Sequence, residues 1–282
     1  MNVDSMHFKE SSIQQLYKAK GYVSVPFLND IQISLLERIF HKNFNINELP
    51  PVYDTVASTP AETIRAVDDE IIKICLPILQ QYLENFYWVC SIYFVKKSAE
   101  DSYTGMHLDP SMTMEGYNNV GVWIPLCDID ENNGRICLLS GSENILPPYS
   151  TPSMPYAYEH VEHLAEPKLD CLCMKAGNAL FFNNSMLHCT QQNKSGTTRL
   201  AVIIKLIDAN APLATVYYNP NAEKGEQVSL YEHSKDVFVN GAFRSPTPPE
   251  NSTFLKFIPE LPHILSEDEL INALKQEQTD KS

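Results

Sequence analysis

The feature that most constrains how this chain folds is a set of polar residues at the ends of apolar, strand-forming segments. His107 and Asp109 are two residues apart, so on an extended strand both side chains point to one face. Pro110 follows and cannot continue a β ladder, which predicts that the pair lies where a strand ends. His188 and Arg199 lie far downstream, and each borders another apolar segment. Two separate strand pairs must therefore come together to unite these residues.

The apolar segments themselves follow strand patterns. Residues 179–184 predict a buried strand that leads into a polar turn before His188, and residues 199–207 predict a second apolar strand. Strand patterns dominate from residue 87 to residue 207, with an irregular insertion at about 147–166. The central part of the chain is therefore predicted to be mainly β.

The flanking segments are predicted to be helical or irregular. The predicted elements are a helix at 11–20 that ends at Gly21, a strand at 22–27, a helix at 31–44, a helix at 61–86 that Pro77 breaks or kinks, and a C-terminal helix opened by a Ser266–Glu269 capping box. Residues 208–262 carry prolines, polar turns and short apolar runs, so they either line a pocket or cover the β core.

We expect one domain over residues 1–282, since a chain of this length can bury a single sizeable core. Within it, residues 1–86 form the N-terminal helices, residues 87–207 the β core, and residues 208–282 the C-terminal loops and helix.

The polar residues match a known metal chemistry. Two imidazoles and one carboxylate in the order His107, Asp109, His188 form the facial triad that binds non-haem Fe(II) and leaves coordination positions open. Arg199, eleven residues after His188, offers a planar guanidinium that can pair with the distal carboxylate of a 2-oxo acid. The pattern indicates an iron site that takes an oxo acid and dioxygen together.

The residues between the two halves resemble the phytanoyl-CoA dioxygenase family of Fe(II)- and 2-oxoglutarate-dependent oxygenases. After His-x-Asp come Trp123-x-Pro-Leu, an Asn-Gly turn at 133–134 and Ser-Gly-Ser-Glu at 140–143, and the late histidine and arginine follow in the family's order. The resemblance runs from about residue 13 to residue 207. The chain departs from the family's commoner Pro-Gly-Ser-His at 140–143, and Arg135 stands where a small or apolar residue is usual.

The resemblance implies a mainly β fold with flanking helices, namely a double-stranded β-helix (a cupin-like jelly roll) with the N-terminal helices packed on one sheet. It also implies Fe(II), 2-oxoglutarate and dioxygen, with ascorbate supporting the reaction in vitro. His107, Asp109 and His188 would bind the iron, and Arg199 would pair with the far carboxylate of 2-oxoglutarate. The activity expected is hydroxylation of an unactivated C–H bond of a small molecule, with release of succinate and carbon dioxide.

Four further residues are candidates for the site. Thr197 would add a hydroxyl at the oxo-acid end, and Tyr93 either reaches the co-substrate or packs in the core. Arg135 and Asn183 are candidate substrate contacts, and the expected substrate is an amino acid or a natural-product intermediate. Asp109 favours hydroxylation, or its desaturation and ring-forming variants, because related halogenases have a small residue at that position.

Two alternatives use the same scaffold. One is a non-catalytic, cupin-like protein that binds a metal or small ligand, and the other is a metal-dependent dioxygenase or isomerase that uses no oxo acid. Neither gives Arg199 a purpose, so this residue discriminates between the alternatives and the oxo-acid enzyme.

Charge and cysteine content limit the partners and the location. The net charge of −14 argues against nucleic acids and anionic membranes, and no apolar run approaches transmembrane length. The first ten residues lack the apolar region of a signal peptide. Seven cysteines without a regular framework, Cys171 and Cys173 among them, predict reduced thiols and a cytoplasmic protein. The oligomeric state is left open.

Overall fold

The computed structural model describes residues 5–56 and 59–280 of the chain, with side chains up to Leu274. The N-terminal part contains β1 (His7–Phe8), α1 (Ser11–Lys20), β2 (Tyr22–Pro26), α2 (Asp30–Asn43), β3 (Val52–Asp54), α3 (Ala61–Tyr82) and β4 (Leu83–Glu84). The central part contains β5 (Phe86–Lys96), β6 (Thr104–His107), β7 (Asn119–Pro125), β8 (Ile136–Leu138), α4 (Glu162–Ala165), β9 (Asp170–Leu172), β10 (Asn178–Asn183), β11 (His188–Thr190) and β12 (Arg199–Asp208). The C-terminal part contains β13 (Ala214–Tyr218), β14 (Val228–Glu232), α5 (Lys235–Val239), β15 (Thr253–Phe257) and α6 (Glu267–Asp280).

The N-terminal helices begin and end where local chemistry dictates. Helix α1 ends at Gly21, whose φ of 75° favours glycine. Helix α2 begins with a capping box in which Asn29 and Gln32 each accept a bond from the other's backbone N–H. Helix α3 continues through Pro77 and stops before the predicted end at residue 86, because β4 pairs with β1 and the chain from Phe86 pairs with β12. Within the described residues, no helix has the length and apolar character needed to cross a membrane.

Two antiparallel sheets form the centre of the protein. The larger has the strand order β2-β10-β7-β12-β5-β3, and the smaller has the order β6-β11-β8-β9. Their facing sides pack together, since Trp123 and Leu180 of the larger sheet share a buried cluster with Ile136 and Leu138 of the smaller one. This arrangement confirms the mainly β jelly roll that the resemblance implied.

The outer face of the larger sheet is covered by α2 and α3. Leu36 and Phe40 of α2 and Cys75 of α3 pack against Val122 and Val202, and all five are buried. The prediction that the N-terminal helices pack on one sheet is therefore confirmed. These helices leave the inner face of the sheet free to form a site.

The C-terminal part differs from the predicted loops, because it contains the three-stranded sheet β13-β14-β15. Each of these strands has five residues and the turns between them are long, so the sequence pattern is weak. Val216 and Leu230 of this sheet pack with Leu261 and with Tyr149 from the insertion. The predicted capping box at α6 is confirmed by the bonds between Ser266 and Glu269.

The expectation of seven reduced thiols is wrong for one pair. Cys137 and Cys171 face each other across β8 and β9 and form a disulfide. They lie 34 residues apart in the sequence, and strand register, which spacing does not reveal, brings them together. The free cysteines of the described residues are Cys75, Cys90, Cys127, Cys173 and Cys189.

Candidate active site

A compact group of three side chains lies between the two sheets. Strands β6 and β11 set His107 directly opposite His188, with the ring centroids 4.3 Å apart. Asp109 follows the end of β6; its Oδ1 lies 4.0 Å from Nε2 of His107 and its Oδ2 lies 3.8 Å from Nε2 of His188. One ligand atom from each residue lies within 4.8 Å of the other two, which suits a single metal ion.

The two imidazole rings are held with Nε2 facing the carboxylate. Nδ1 of His107 donates to the carbonyl of Gly105 at 2.8 Å, and Nδ1 of His188 donates to that of Met186 at 2.9 Å. Burial, followed by the neighbouring His107, lowers the pKa of His188 to about 4. His188 is therefore neutral at pH 7 with a free Nε2, the form that binds a metal.

Asp109 is held in its charged form by cations around it. Burial raises the pKa of Asp109, but Lys205, then His188 and His107, outweigh burial and hold this pKa well below its usual range. Nζ of Lys205 contacts Oδ2 of the carboxylate and lies 2.5 Å from Oδ1 of Asn184. Asn184 in turn donates to the carbonyl of Pro110 at 3.1 Å. Lys205 of β12 thus holds the loop that carries Asp109 both directly, through the carboxylate, and indirectly, through Asn184.

Phe182 supports both a histidine and this lysine. Its ring centroid lies 5.2 Å from that of His188, and Nζ of Lys205 lies 5.5 Å from the ring centroid. The ring lies directly on Gly121, where a Cβ atom would come within 2.5 Å of it. A glycine at this position of β7 is required for the close approach.

Arg199 lies at the start of β12 with 1% of its surface exposed. Its guanidinium carbon lies 5.5 Å from the ring centroid of Phe94 and 5.1 Å from that of Trp123, and Nη1 donates to the carbonyl of Gly134. Nε and Nη2 are buried with no hydrogen-bond partner in the described part of the chain. Burial lowers the pKa of Arg199 to about 10, so the group is charged at neutral pH. Two unpaired N–H donors on a buried cation are suited to a carboxylate.

A second buried cation lies opposite Arg199, since β5 pairs Lys96 with it. Nζ of Lys96 donates to the carbonyl of Gln191 at 3.0 Å and to that of Thr190 at 3.3 Å. Burial, and then the charge of Arg199, lower the pKa of Lys96 to about 7. The hydroxyl of Thr190 is buried without a partner among the described residues, and Thr190 lines the same cavity as Thr104.

Sequence reasoning missed Lys96, Thr190 and Lys205. Lys205 lies inside an apolar strand and Lys96 is the last residue of another, which is a weak signal, because lysines are also common on the edge strands of sheets. Thr190 is two residues after His188 on β11, so strand alternation places both on one face and could have identified it.

Two residues predicted near the oxo acid lie elsewhere. The hydroxyl of Tyr93 donates to the carbonyl of Leu36 at 2.7 Å, in the core beneath α2, while its neighbour Phe94 lines the cavity. Successive strand residues point to opposite faces, so only one of the pair can reach the site. Oγ1 of Thr197 lies 3.0 Å from Oγ of Ser195 in an exposed turn.

The two candidate substrate contacts also lie outside the main cavity. Nε of Arg135 donates to Oε1 of Gln191 at 3.0 Å, and Arg135 lines a separate surface cleft. Oδ1 of Asn183 accepts from the backbone N–H of Ser185 at 3.0 Å, and Asn183 lines another cleft. Their role as substrate contacts stays a prediction.

The main cavity has a volume of about 630 Å³ and opens from the His107–Asp109–His188 cluster towards solvent. Its floor comes from the larger sheet, and its roof comes from the insertion at 146–158. Phe243, Arg244 and Leu261 of the C-terminal part complete the wall. The alternative in which residues 208–262 line the pocket is therefore the one that the structure supports.

A jelly roll with a His-Asp-His cluster at the open end of its barrel is the architecture of non-haem iron enzymes. Residues 42–201 match the family model of phytanoyl-CoA dioxygenase (PhyH), and the chain belongs to this family. It is an Fe(II)- and 2-oxoglutarate-dependent oxygenase. The comparison with curated proteins gives no match.

Solved structures share the fold at low sequence identity. The epimerase SnoN, solved with Fe3+, alpha ketoglutarate and nogalamycin RO, is 15% identical with a TM-score of 0.52 and covers 92% of this chain and 97% of its own. The alpha ketoglutarate dependent carbocyclase SnoK from nogalamycin biosynthesis is 17% identical with a TM-score of 0.51, covering 77% and 88%. EvdO2 from Micromonospora carbonacea var. aurantiaca is 11% identical with a TM-score of 0.50, covering 71% and 91%.

Proposed function

We propose that this enzyme hydroxylates an unactivated C–H bond of a small molecule and converts 2-oxoglutarate into succinate and carbon dioxide. The observation that carries the proposal is the His107–Asp109–His188 cluster on the wall of the main cavity, together with the buried Arg199, whose Nε and Nη2 have no hydrogen-bond partner in the described part of the chain. A protein that only binds a metal has no use for the second feature.

In this proposal His107, Asp109 and His188 hold the iron, and the chain supports each of them. The histidines present Nε2 because their Nδ1 atoms are bonded to carbonyls, and Lys205 holds one oxygen of Asp109 so that the other faces His107. Bound iron supplies the activation of dioxygen that drives the oxidation. Because a carboxylate already occupies the third ligand position, we expect hydroxylation rather than halogenation.

Arg199 binds the distal carboxylate of 2-oxoglutarate in this proposal. Its free Nε and Nη2 donors form the planar fork that a carboxylate requires, and the hydroxyl of Thr190 supplies a further donor. Phe94 and Trp123 flank the guanidinium and exclude water, which strengthens the ion pair. Lys96 adds positive charge beside this end of the co-substrate.

The substrate enters from the other side of the metal cluster, through the cavity under the insertion. A small molecule as partner agrees with its volume of about 630 Å³. An amino acid and a natural-product intermediate stay the predicted substrates, and the charges along the cavity decide between them. A cytoplasmic location also stays a prediction, which five free cysteines support and the Cys137–Cys171 disulfide opposes.

The test is an anaerobic titration of 2-oxoglutarate into protein loaded with Fe(II). We expect a weak visible charge-transfer band that saturates with 2-oxoglutarate, and succinate once air is admitted with ascorbate present. Protein that gives neither the band nor succinate would instead support the non-catalytic, cupin-like binding protein.

A further inference from the structure

The lining of the outer part of the cavity is mainly apolar, and this limits the kind of substrate that it can bind. Ile92, Met112 and Ile203 lie on the side of the larger sheet, and Pro147, Met154 and Tyr156 lie on the side of the insertion. Side chains of these types bind apolar groups by excluding water from both surfaces.

The charged side chains that line this cavity within the described residues are already paired. Nη1 of Arg244 lies 3.0 Å and 2.9 Å from the two carboxylate oxygens of Asp54, so the two charges of this pair neutralise each other. Asp109 is paired with Lys205 at the metal end, and His263 lies 3.0 Å from Glu269 at the rim. A charged substrate group would therefore enter an apolar space without a free counter-ion, and such burial is unfavourable.

The wall also contains hydroxyls that have no hydrogen-bond partner among the described residues, and Thr151 carries one of them. Thr151 lines the cavity with 5% of its surface exposed, and its hydroxyl has no hydrogen-bond partner in the described part of the chain. A hydroxyl can bond a carbonyl or hydroxyl of a ligand but cannot neutralise an ion.

We propose that the substrate is a neutral, predominantly apolar small molecule that carries a hydroxyl or carbonyl group, and not a free amino acid. An amino acid would bring an ammonium and a carboxylate into the cavity, where the charges of Asp54 and Arg244 already compensate each other. This inference rests on the proposed function, which places the reacting carbon beside the metal cluster.

The experiment compares three probes that share one ring system and differ in charge: methyl 2-naphthoate, 2-naphthoate and 2-naphthylmethylammonium. Their binding is measured by equilibrium dialysis under argon against protein loaded with Fe(II) and 2-oxoglutarate. We expect the ester to bind about tenfold or more tightly than either charged probe. An ester that binds no more tightly than the charged probes overturns the proposal.

Two matched variants test whether charge pairing is the cause. Asp54→Asn leaves Arg244 unpaired and should strengthen binding of 2-naphthoate, whereas Arg244→Gln leaves Asp54 unpaired and should strengthen binding of the ammonium. The double variant should restore the preference for the ester. If neither single variant changes the order of the probes, charge pairing does not select the substrate and the proposal fails.

Failure of this inference can be separated from failure of the proposed function. The charge-transfer band is recorded in the same samples before a probe is added, and it reports on 2-oxoglutarate binding alone. If the band is normal but the ester is not preferred, the inference about the substrate class fails and the proposed function stands. Dialysis is then repeated with metal-free protein. If the ester still binds more tightly than the charged probes, the preference comes from the side chains that line the cavity and does not depend on the metal site.

Discussion

The two ends of the cavity are built in different ways. At the inner end, polar residues lie on paired strands, and the ladder fixes their distances: His188 lies opposite His107, and Arg199 lies opposite Lys96. At the outer end, the walls come from the insertion and the C-terminal part, where most side chains are apolar and Asp54 and Arg244 form an ion pair. The difference shows that strand register positions the reacting groups, while segments packed outside the barrel shape the space for the substrate.

The largest effect should come from the inner end, with Asp109→Ala. Product formation with Fe(II), 2-oxoglutarate and ascorbate should fall below detection, because two imidazoles alone bind Fe(II) weakly and Lys205 loses its counter-ion. Asp128→Ala, which removes an exposed carboxylate paired with Lys175, is the control and should retain activity. Near-wild-type turnover in Asp109→Ala would refute the assignment of the triad.

The second effect concerns the co-substrate rather than the metal. Arg199→Ala should raise the half-saturating concentration of 2-oxoglutarate by about thirty-fold to several thousand-fold, since it leaves a carboxylate buried and unpaired. Fe(II) affinity should change little. Arg199→Lys should restore part of the affinity, because it keeps the charge but loses the fork. An unchanged half-saturation in Arg199→Ala would mean that another residue holds the oxo acid.

Substitutions of Lys205 test whether the activity of the iron site depends on the charge of this side chain or only on its packing. Lys205→Met should lower turnover by about tenfold to a hundredfold. It should also move the charge-transfer band to longer wavelength, because a cation beside Asp109 draws electron density from the metal site. Lys205→Arg keeps the charge and should keep the band near its wild-type position. A band that does not move in Lys205→Met assigns the lysine to packing alone.

The smallest effect is a pH dependence at Lys96. Burial and Arg199 lower the pKa of Lys96 to about 7, so this group loses its charge as the pH rises through that value. A bound dianion favours the charged form, and therefore 2-oxoglutarate should bind about threefold to tenfold more weakly at about pH 8.5 than at about pH 6.5. Anaerobic titrations at both pH values measure this. In Lys96→Met the dependence should vanish, and its persistence would place the titrating group elsewhere.

The inner end of the cavity could be predicted from the sequence, because residues two apart on a strand point to the same face. The two-residue spacing of His107 and Asp109, and the position of His188 between two apolar segments, were enough to propose the cluster that the structure brings together. Strand alternation also explains why Tyr93 takes the alternative role, packing in the core. Tyr93 and Phe94 are adjacent, and sequence composition does not show which of the two faces the cavity.

The outer end could not be predicted, because its residues meet only through tertiary packing. Asp54 lies on β3 and Arg244 in the C-terminal part, and no local pattern links them. The same holds for Cys137 and Cys171, whose proximity depends on strand register. Arg135 departs from the small or apolar residue usual in the family, and Asn183 lies shortly before His188 in the sequence, but the structure turns both towards separate clefts.

The packing of Tyr149 against Val216, Leu230 and Leu261 has a consequence for synthesis of the enzyme. The ribosome releases every proposed iron ligand before it releases the C-terminal sheet that holds the roof in place. A nascent chain that has just completed β12 already contains the three proposed iron ligands. The apolar floor of the cavity, which includes Ile92 and Ile203, is still uncovered at that stage. The residues that follow β12 therefore close the cavity and cover apolar side chains that would otherwise be exposed.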